Sequence, residues 1–484
     1  MNNIKGITLY AHQNKMVGVA NLNNKGIFVA PTGSGKTLTQ AEIVAKEINS
    51  GGFKVIVVKT PRISLSNQLA TEYSEYFFTN HNLNKGKEFN STLLHSGKAD
   101  EAPDDFDAES PIQLARFFKQ FAAAESDRTA VSNLIADAKE KDIPFVMFTT
   151  YHSNEKAWQI ISDHTETVAL DINDEGHFLT QACFSEIFSM YTPVRQYFFT
   201  ATLRLRESEE GNGMNNTSRF GEIIYSMSIA YAIKEKLIIP IKPHYVEAAG
   251  DVDRLTELKS IAEFVRVSFD HLTETTELTP KMLIAVQGAT QIETFTQSAT
   301  YQEMLDEGVH ILTVHSTKEF NTYNGEQITR KQFNDLKNKL GKDASVKLIM
   351  MHYDILSEGI DIPGLTGVMI LRNMELSKFL QTIGRVIRIY RNNPELKTFG
   401  MLYFPNLSDK DLKTRFDTML AEIYTEGYVP EEYMNELIAA GKEEGEEVEA
   451  WQEEATGRNS QLLDLMVKDL DLTSIFGETF TATA

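Results

Sequence analysis

Short apolar runs rich in β-branched and aromatic residues recur along the chain, separated by longer stretches whose apolar spacing suits helices. Residues 27–30, 55–58, 145–148, 168–172 and 196–199 form one series of such runs, and 282–286, 310–313, 347–351, 367–371 and 400–404 form a second. This alternation predicts βαβ units, in which a crossover helix follows each strand and the sheet is parallel. Two similar α/β domains are the simplest arrangement for two series. Between them, Ile233-Lys-Glu-Lys-Leu-Ile-Ile-Pro-Ile-Lys-Pro-His244 carries two prolines that remove backbone donors, so regular structure is expected to break there. The expected layout is a first domain over residues 1–232, a linker over 233–245, a second domain over 246–425 and an extension over 426–484. Residues 79–142 are too long for a simple crossover and read as an insertion, with a helical pattern at Leu114, Phe117, Phe118 and Phe121. Within the extension, Leu462, Leu463, Leu465 and Met466 suit an amphipathic helix.

Composition narrows the class. The 484 residues, 42% of them apolar, exceed one ordinary core, and no apolar run approaches the roughly 20 residues that cross a bilayer. No secretory apolar region follows Met1, and the single cysteine, Cys183, rules out an internal disulfide framework and a multi-cysteine zinc site. A cytoplasmic protein without a membrane partner is expected. The balance of 47 basic against 68 acidic residues at first argues against a polyanionic partner. Of the net −21, however, residues 431–484 carry −11 and residues 99–110 carry −6, which leaves −4 for the rest and room for a local basic groove.

The strongest chemical signal is Ala30-Pro-Thr-Gly-Ser-Gly-Lys-Thr37, which follows a predicted strand and opens a predicted helix ending near Ile48. It reads as a phosphate loop spanning Gly33, Ser34 and Gly35. The two glycines let backbone N–H groups converge on phosphate oxygens, Lys36 reaches the β- and γ-phosphates, and Thr37 can hold Mg²⁺. The strict pattern has Gly where Ala30 stands. Phosphoryl transfer also needs a carboxylate for the metal and a group to orient the attacking water. Asp174-Glu175-Gly176-His177 stands after another predicted strand, so Asp174 is assigned to the metal, Glu175 to the water and His177 to reporting nucleotide state. An isolated Asp-Glu pair after a strand is as a rule a solvated turn; the phosphate loop upstream reverses that reading. Asp171 is a rival carboxylate three residues earlier, within the strand. In the second series, Gln381, Arg385 and Arg388 fall at i, i+4 and i+7 on one helical face, while Phe379, Ile383 and Ile387 cover another. Two converging arginines suit the charge that develops on a γ-phosphate.

With these residues in place, the chain resembles the superfamily 2 helicases and translocases over roughly residues 9–388. Residues 30–37 match that family's motif I, 174–177 motif II, Thr200-Ala201-Thr202 motif III, 354–364 motif V and 381–388 motif VI. The resemblance implies two tandem RecA-like domains with parallel sheets and an acidic C-terminal extension, with ATP and Mg²⁺ as cofactors. By family position, Gln13 joins the nucleotide-binding residues, as do Gly359 and Asp361 of motif V, and Thr200, Ala201 and Thr202 couple the nucleotide to the strand. Contacts to nucleic acid fall to Thr60, Pro61, Arg62, Thr149, Thr150, Gln287, Gly288, His315 and Ser316, a set suited to sequence-independent phosphate grip. The family's frequent Leu-Arg-Pro-Tyr-Gln opening appears as Leu9-Tyr-Ala-His-Gln13, and Leu203 follows motif III where proline is common. The Asp-Glu-Gly-His box, the 232–240 segment and Glu358-Gly-Ile-Asp-Ile-Pro363 look most like the branch of type III restriction motor subunits and phage DNA-remodelling helicases. DNA, single-stranded or branched, is the expected partner, and no nuclease pattern follows motif VI. The alternative from another class is a non-catalytic, nucleotide-gated module that docks a protein partner through its acidic tail. For the tail, restraint of the DNA groove, partner binding and simple solvation all remain open.

Overall fold

The computed structural model describes residues 6–94, 128–206, 211–246, 258–315, 320–353, 362–405 without 363, 373, 375 and 392, and 410–433 without 431. These fall into two compact units, the first ending at Ser228 and the second beginning at Ile229.

In the first unit, strands β1 (Lys25–Val29), β2 (Val55–Thr60), β3 (Asn90–Leu94), β4 (Phe145–Thr150), β5 (Leu170–Asp174), β6 (Arg195–Thr200) and β7 (Ile223–Ser226) form one sheet. Its order is β3-β4-β2-β5-β6-β1-β7, and every pairing is parallel. Covered on both faces, such a sheet needs strands that are apolar at nearly every position, and β2 is buried throughout. Helices α1 (Ala11–Leu22), α2 (Lys36–Asn49) and α3 (Ile63–His81) belong to this unit. Because all strands run one way, the segments after β1, β2, β4, β5 and β6 leave from a single edge, where α/β sheets place their ligands. That edge gathers the first unit's motifs, at residues 30–37, 174–177 and 200–202.

The second unit has the strand order β12-β11-β10-β13-β9-β14-β15-β8, with β8 (Ile241–Val246), β9 (Lys281–Val286), β10 (His310–His315), β11 (Phe320–Tyr323), β12 (Glu326–Ile328), β13 (Leu348–Tyr353), β14 (Gly367–Leu371) and β15 (Gly400–Pro405). Six of these strands are parallel, and β11 and β12 add an antiparallel hairpin at one edge. The parallel sheet expected here is present, with this hairpin added to it. The signal was present in Asn324-Gly325, whose φ values of 49° and 84° are those a tight two-residue hairpin turn requires.

Two segments differ in local structure from what their sequence suggests. Residues 233–245 do not form a free connection. Helix Ile229–Lys234 and β8 are both built into the second unit, where Ile241 N–H donates to Tyr428 O (2.8 Å) and Ile239 N–H to Ile387 O (2.9 Å). Pro243 lies inside β8 because β8 is an edge strand, and an edge tolerates a residue without an N–H. The segment read as an insertion contributes β3 to the sheet and a helix, Arg128–Glu140, that packs Val131 and Ile135 into the core beneath it. Leu114, Phe117, Phe118 and Phe121, the acidic run at 99–110 and the helix expected near Leu462 lie outside the described residues.

Candidate nucleotide site and strand-contact residues

The phosphate loop follows β1 directly. Gly33 and Gly35 adopt φ of 88° and 85°, a backbone region that other residues enter only at an energetic cost, and Gly35 is the N-cap from which α2 starts. A side chain at Gly35 would also collide with the Gln13 amide. Ser34 is buried and its hydroxyl donates to Pro31 O (2.7 Å). The Lys36 ammonium is buried over the loop, donating to Ala30 O (2.9 Å) and Pro31 O (3.3 Å). Thr37, on the first turn of α2, is half-buried.

Helix α1 grips this loop from outside. Gln13 donates its amide to Gly35 O (2.9 Å) and accepts Tyr10 N–H (2.8 Å), so its donor and acceptor are both engaged in fixing loop and helix start. His12, which the motifs do not single out, adds a 2.7 Å bond from Nε2 to Ser34 O. A carbonyl only accepts, so His12 carries its proton on Nε2.

Motif II stands where β5 ends, with β6 alongside and β1 next in the sheet. Asp174 is the last residue of β5; burial, followed by the charge of Glu175, pushes its carboxyl up to about 6, and Lys36 pulls in the opposite direction. Glu175 takes φ 51° and ψ 47°, a left-handed conformation that costs a non-glycine residue on the order of 1 kcal/mol and often marks functional turns. Asp171, the rival carboxylate, is fully buried and bonded to Lys59 Nζ (2.9 Å) and Gln196 Nε2 (2.9 Å). It serves as an internal ion pair inside the sheet.

His177 links motif II to motif III. Its Nδ1 lies 3.0 Å from the Thr200 hydroxyl, which itself donates to Thr202 O (2.7 Å) and accepts Thr202 N–H (3.1 Å). With the hydroxyl proton already used, Nδ1 must be the donor, which leaves Nε2 as a buried acceptor with no hydrogen bond among the described residues. Thr200 O also accepts Ala30 N–H (3.0 Å) at the start of the phosphate loop, so one residue touches both loop and motif II. Ala201 and Thr202 follow at the half-buried sheet edge. Burial, with Arg204 and Lys36 adding to it, lowers the His177 pKa to about 3. The 3.4 Å contact to Glu175 Oε2 is therefore between a neutral imidazole and a carboxylate rather than an ion pair.

A folded-state pKa below the unfolded 6.5 means that the unfolded chain binds the extra proton. The His177 contribution to stability is thus complete above pH 6.5 and is lost as pH drops toward 3, by up to about 1.4 kcal/mol per unit, while Asp174, raised to about 6, contributes with the opposite sign. Between pH 7 and pH 5, thermal unfolding should shift further toward lower stability in the native chain than in His177→Asn. Equal losses would remove His177 as the source.

Both Thr37 and Asp174 offer hard oxygen donors, and a buried carboxylate of raised pKa is the group that a small divalent cation stabilises. Among the described residues no cluster of three or more His, Cys, Asp or Glu could hold a metal. One hydroxyl, one carboxylate and phosphate oxygens from a nucleotide make up the usual Mg²⁺ set. The residues present fit it.

Of the expected strand contacts, Thr60 and Thr150 are paired partners at the ends of β2 and β4. Arg62, the N-cap of α3, is exposed; Pro61 beside it is buried. Thr60 Oγ1 donates to Arg62 O (2.9 Å), Thr150 Oγ1 to Ser153 Oγ (3.2 Å) and buried Thr149 Oγ1 to Leu94 O (2.9 Å). The threonine hydroxyls thus shape the edge, and Arg62 is the side chain presented at it. In the second unit, Gln287 is exposed after β9, and Gly288 caps helix Ala289–Thr296. His315 ends β10. Ser316, Gly359 and Asp361 lie outside the described residues.

Gln381 and Arg385 sit on helix Leu376–Val386, Arg385 only 5% exposed. Arg388 is corrected: it lies past the helix end rather than on its face. The helix stops there because Lys397, itself buried, donates its ammonium to Val386 O (2.6 Å) and Arg388 O (2.8 Å), satisfying carbonyls that another helical turn would use. Gly400 allows the close fit, since a Cβ there would fall 2.8 Å from Val386 O.

A family model described as type III restriction enzyme, res subunit, matches residues 4–205, and the helicase conserved C-terminal domain matches 267–390. No curated protein sequence matches the chain. Among solved structures, the ATP-dependent type ISP restriction-modification enzyme LlaBIII bound to DNA is similar over 87% of this chain and 30% of that one, at 18% identity and a TM-score of 0.59. A nuclease-deletion mutant of the type ISP enzyme LlaGI, in complex with a DNA substrate mimic, is similar over 97% and 34%, at 15% and 0.54. Mss116p bound to ssRNA and AMP-PNP is similar over 87% and 78%, at 15% and 0.52. Such identities speak to fold alone, and the fold is that of two tandem RecA-like domains. The chain spans about a third of the length of the two restriction enzymes.

Proposed function

We propose that this chain, which belongs to the superfamily 2 helicases in the branch of the type III and type I restriction motors, is an ATP- and Mg²⁺-dependent DNA translocase or helicase. The observation that carries the reading is the convergence, on one edge of one parallel sheet, of the Gly33–Gly35 loop, Lys36, the Asp174-Glu175 pair and the His177–Thr200 bond. In this reading the loop amides and Lys36 hold the triphosphate, Thr37 and Asp174 hold Mg²⁺, and Glu175 orients the attacking water. The metal, when bound, offsets charge on the β- and γ-phosphates. His177 stays neutral across the working pH range and passes changes at motif II to Thr200, at the root of the loop. Arg385 and Arg388 stabilise the charge that develops during transfer. Arg62 supplies a cation for backbone phosphates, and the grip is independent of sequence.

DNA is favoured because the first family model is that of a restriction motor subunit and two similar structures hold DNA or its mimic; the similarity to Mss116p on ssRNA makes RNA the comparison to run. Steady-state ATPase measured with no nucleic acid, single-stranded DNA, duplex DNA and RNA is the test. DNA should stimulate turnover at least about tenfold, most steeply at low salt. The absence of turnover under every condition, with nucleotide still bound, would favour a nucleotide-gated binding module instead.

A further inference from the structure

Gln40 lies one helical turn beyond Lys36 on α2, wholly buried, and no motif singles it out. Its amide nitrogen donates to Asp174 Oδ1 at 2.7 Å, and its carbonyl oxygen accepts the Tyr73 hydroxyl at 2.8 Å. Chemistry fixes this orientation. A carboxylate offers only acceptors, so the NH₂ must face Asp174, which leaves Oε1 for the hydroxyl proton. Tyr73 is itself immobilised: it sits fully buried on α3, edge-on to Phe77 and Phe148 with ring centroids 5.8 and 5.5 Å away. Three groups from α2, α3 and β5 therefore form a chain with a single direction of donation, Tyr73 to Gln40 to Asp174. Flipping the Gln40 amide would set a carbonyl oxygen against a carboxylate and an NH₂ against the hydroxyl, losing the bond to Asp174.

We propose that Gln40 and Tyr73 are positioning residues that fix the rotation of the Asp174 carboxylate for the metal. The proposal rests on the nucleotide-site reading above. Tyr73 contributes by holding the Gln40 amide in the one orientation that donates to Asp174, so the two act in series.

The test uses the full chain with Gln40→Leu, Tyr73→Phe and the double variant. A fluorescent ADP analogue is bound first in EDTA and then titrated with Mg²⁺, with thermal unfolding followed in parallel. Losing a buried hydrogen bond to a charged group should raise the half-saturating Mg²⁺ in Gln40→Leu by roughly tenfold or more, with affinity in EDTA unchanged. Tyr73→Phe should move the Mg²⁺ midpoint the same way by less, and the double variant should match Gln40→Leu alone, because the hydroxyl has no effect once the amide is gone. A merely structural role would lower nucleotide affinity with and without metal alike and would add in the double variant; either result overturns the proposal, as does an unmoved Mg²⁺ midpoint in both single variants. Should Gln40→Leu fail to fold, Tyr73→Phe decides, since it removes one oxygen and keeps the packed ring. A native chain that binds the analogue with no response to Mg²⁺ would overturn the underlying site reading, an outcome separate from a responsive native chain with unaffected variants.

Discussion

Lys36→Ala and Glu175→Gln should each bring steady-state ATP hydrolysis to background while leaving the fold intact. The two substitutions remove different things. Lys36 is the buried cation of the loop, held over Ala30 O and Pro31 O, and in the proposed reading its loss strips positive charge from the place where phosphate charge would develop; about 10²–10³-fold is the usual effect of one such group. Glu175→Gln keeps the shape of the side chain and the same left-handed backbone, so the strain at φ 51° is unchanged and stability should not move. In the proposed role it removes the carboxylate that orients the attacking water, a loss of about 10²–10⁴-fold. Nucleotide binding should therefore survive in Glu175→Gln and weaken in Lys36→Ala. Measuring turnover and nucleotide affinity side by side checks both, and normal turnover in either variant would refute the role assigned to that residue.

Arg388→Ala should lower kcat by about 10³-fold or more with little change in KM for ATP, the signature of a cation that acts on the transition state rather than on the bound substrate. Arg388 suits that role because its backbone is not part of a regular helix. Its carbonyl is held by the Lys397 ammonium just past the end of helix Leu376–Val386. Arg385, nearly buried within the last turn, should be more sensitive to removal in stability terms, so a comparison of thermal unfolding separates the two. If kcat/KM and nucleotide affinity fall together in Arg388→Ala, the arginine contributes to uniform binding and the finger role is lost.

Much of this was legible in the chain itself. Residues 27–30 sit one or two positions from the observed β1, 367–371 coincide with β14, and the phosphate loop opens α2 where its glycines said it should. Strands buried on both faces are apolar at most positions, and glycine at a left-handed position leaves a visible mark, so local physics writes both into sequence. The hairpin of β11 and β12 was equally visible in Asn324-Gly325, but its strands are short and polar and carry little apolar periodicity. Pro243 misled for a related reason, since whether proline interrupts a strand depends on whether that strand lies at an edge, and an edge is a property of the assembled sheet.

Side-chain roles divide along the same line. Sequence spacing singled out Lys36, Asp174, Glu175 and His177 as candidates, because each stands at a fixed offset from a strand end and the parallel sheet sends those ends to one side. It gave no sign that Gln40 and Tyr73 brace Asp174, that His12 and Gln13 hold the loop, or that Lys397 ends the helix before Arg388. Sequence position already set Asp171 within the strand and Asp174 at its end; the tertiary structure shows what holds each, enclosing one between Lys59 and Gln196 and placing the other at the sheet edge beside the loop. The sequence by itself determined which backbone segments strand, turn and coil, and which chemistry follows each strand. Which polar groups meet was decided only when the strands took an order that the chain does not follow, because hydrogen bonds act over about 3 Å and bring together residues as far apart as Gln40 and Asp174.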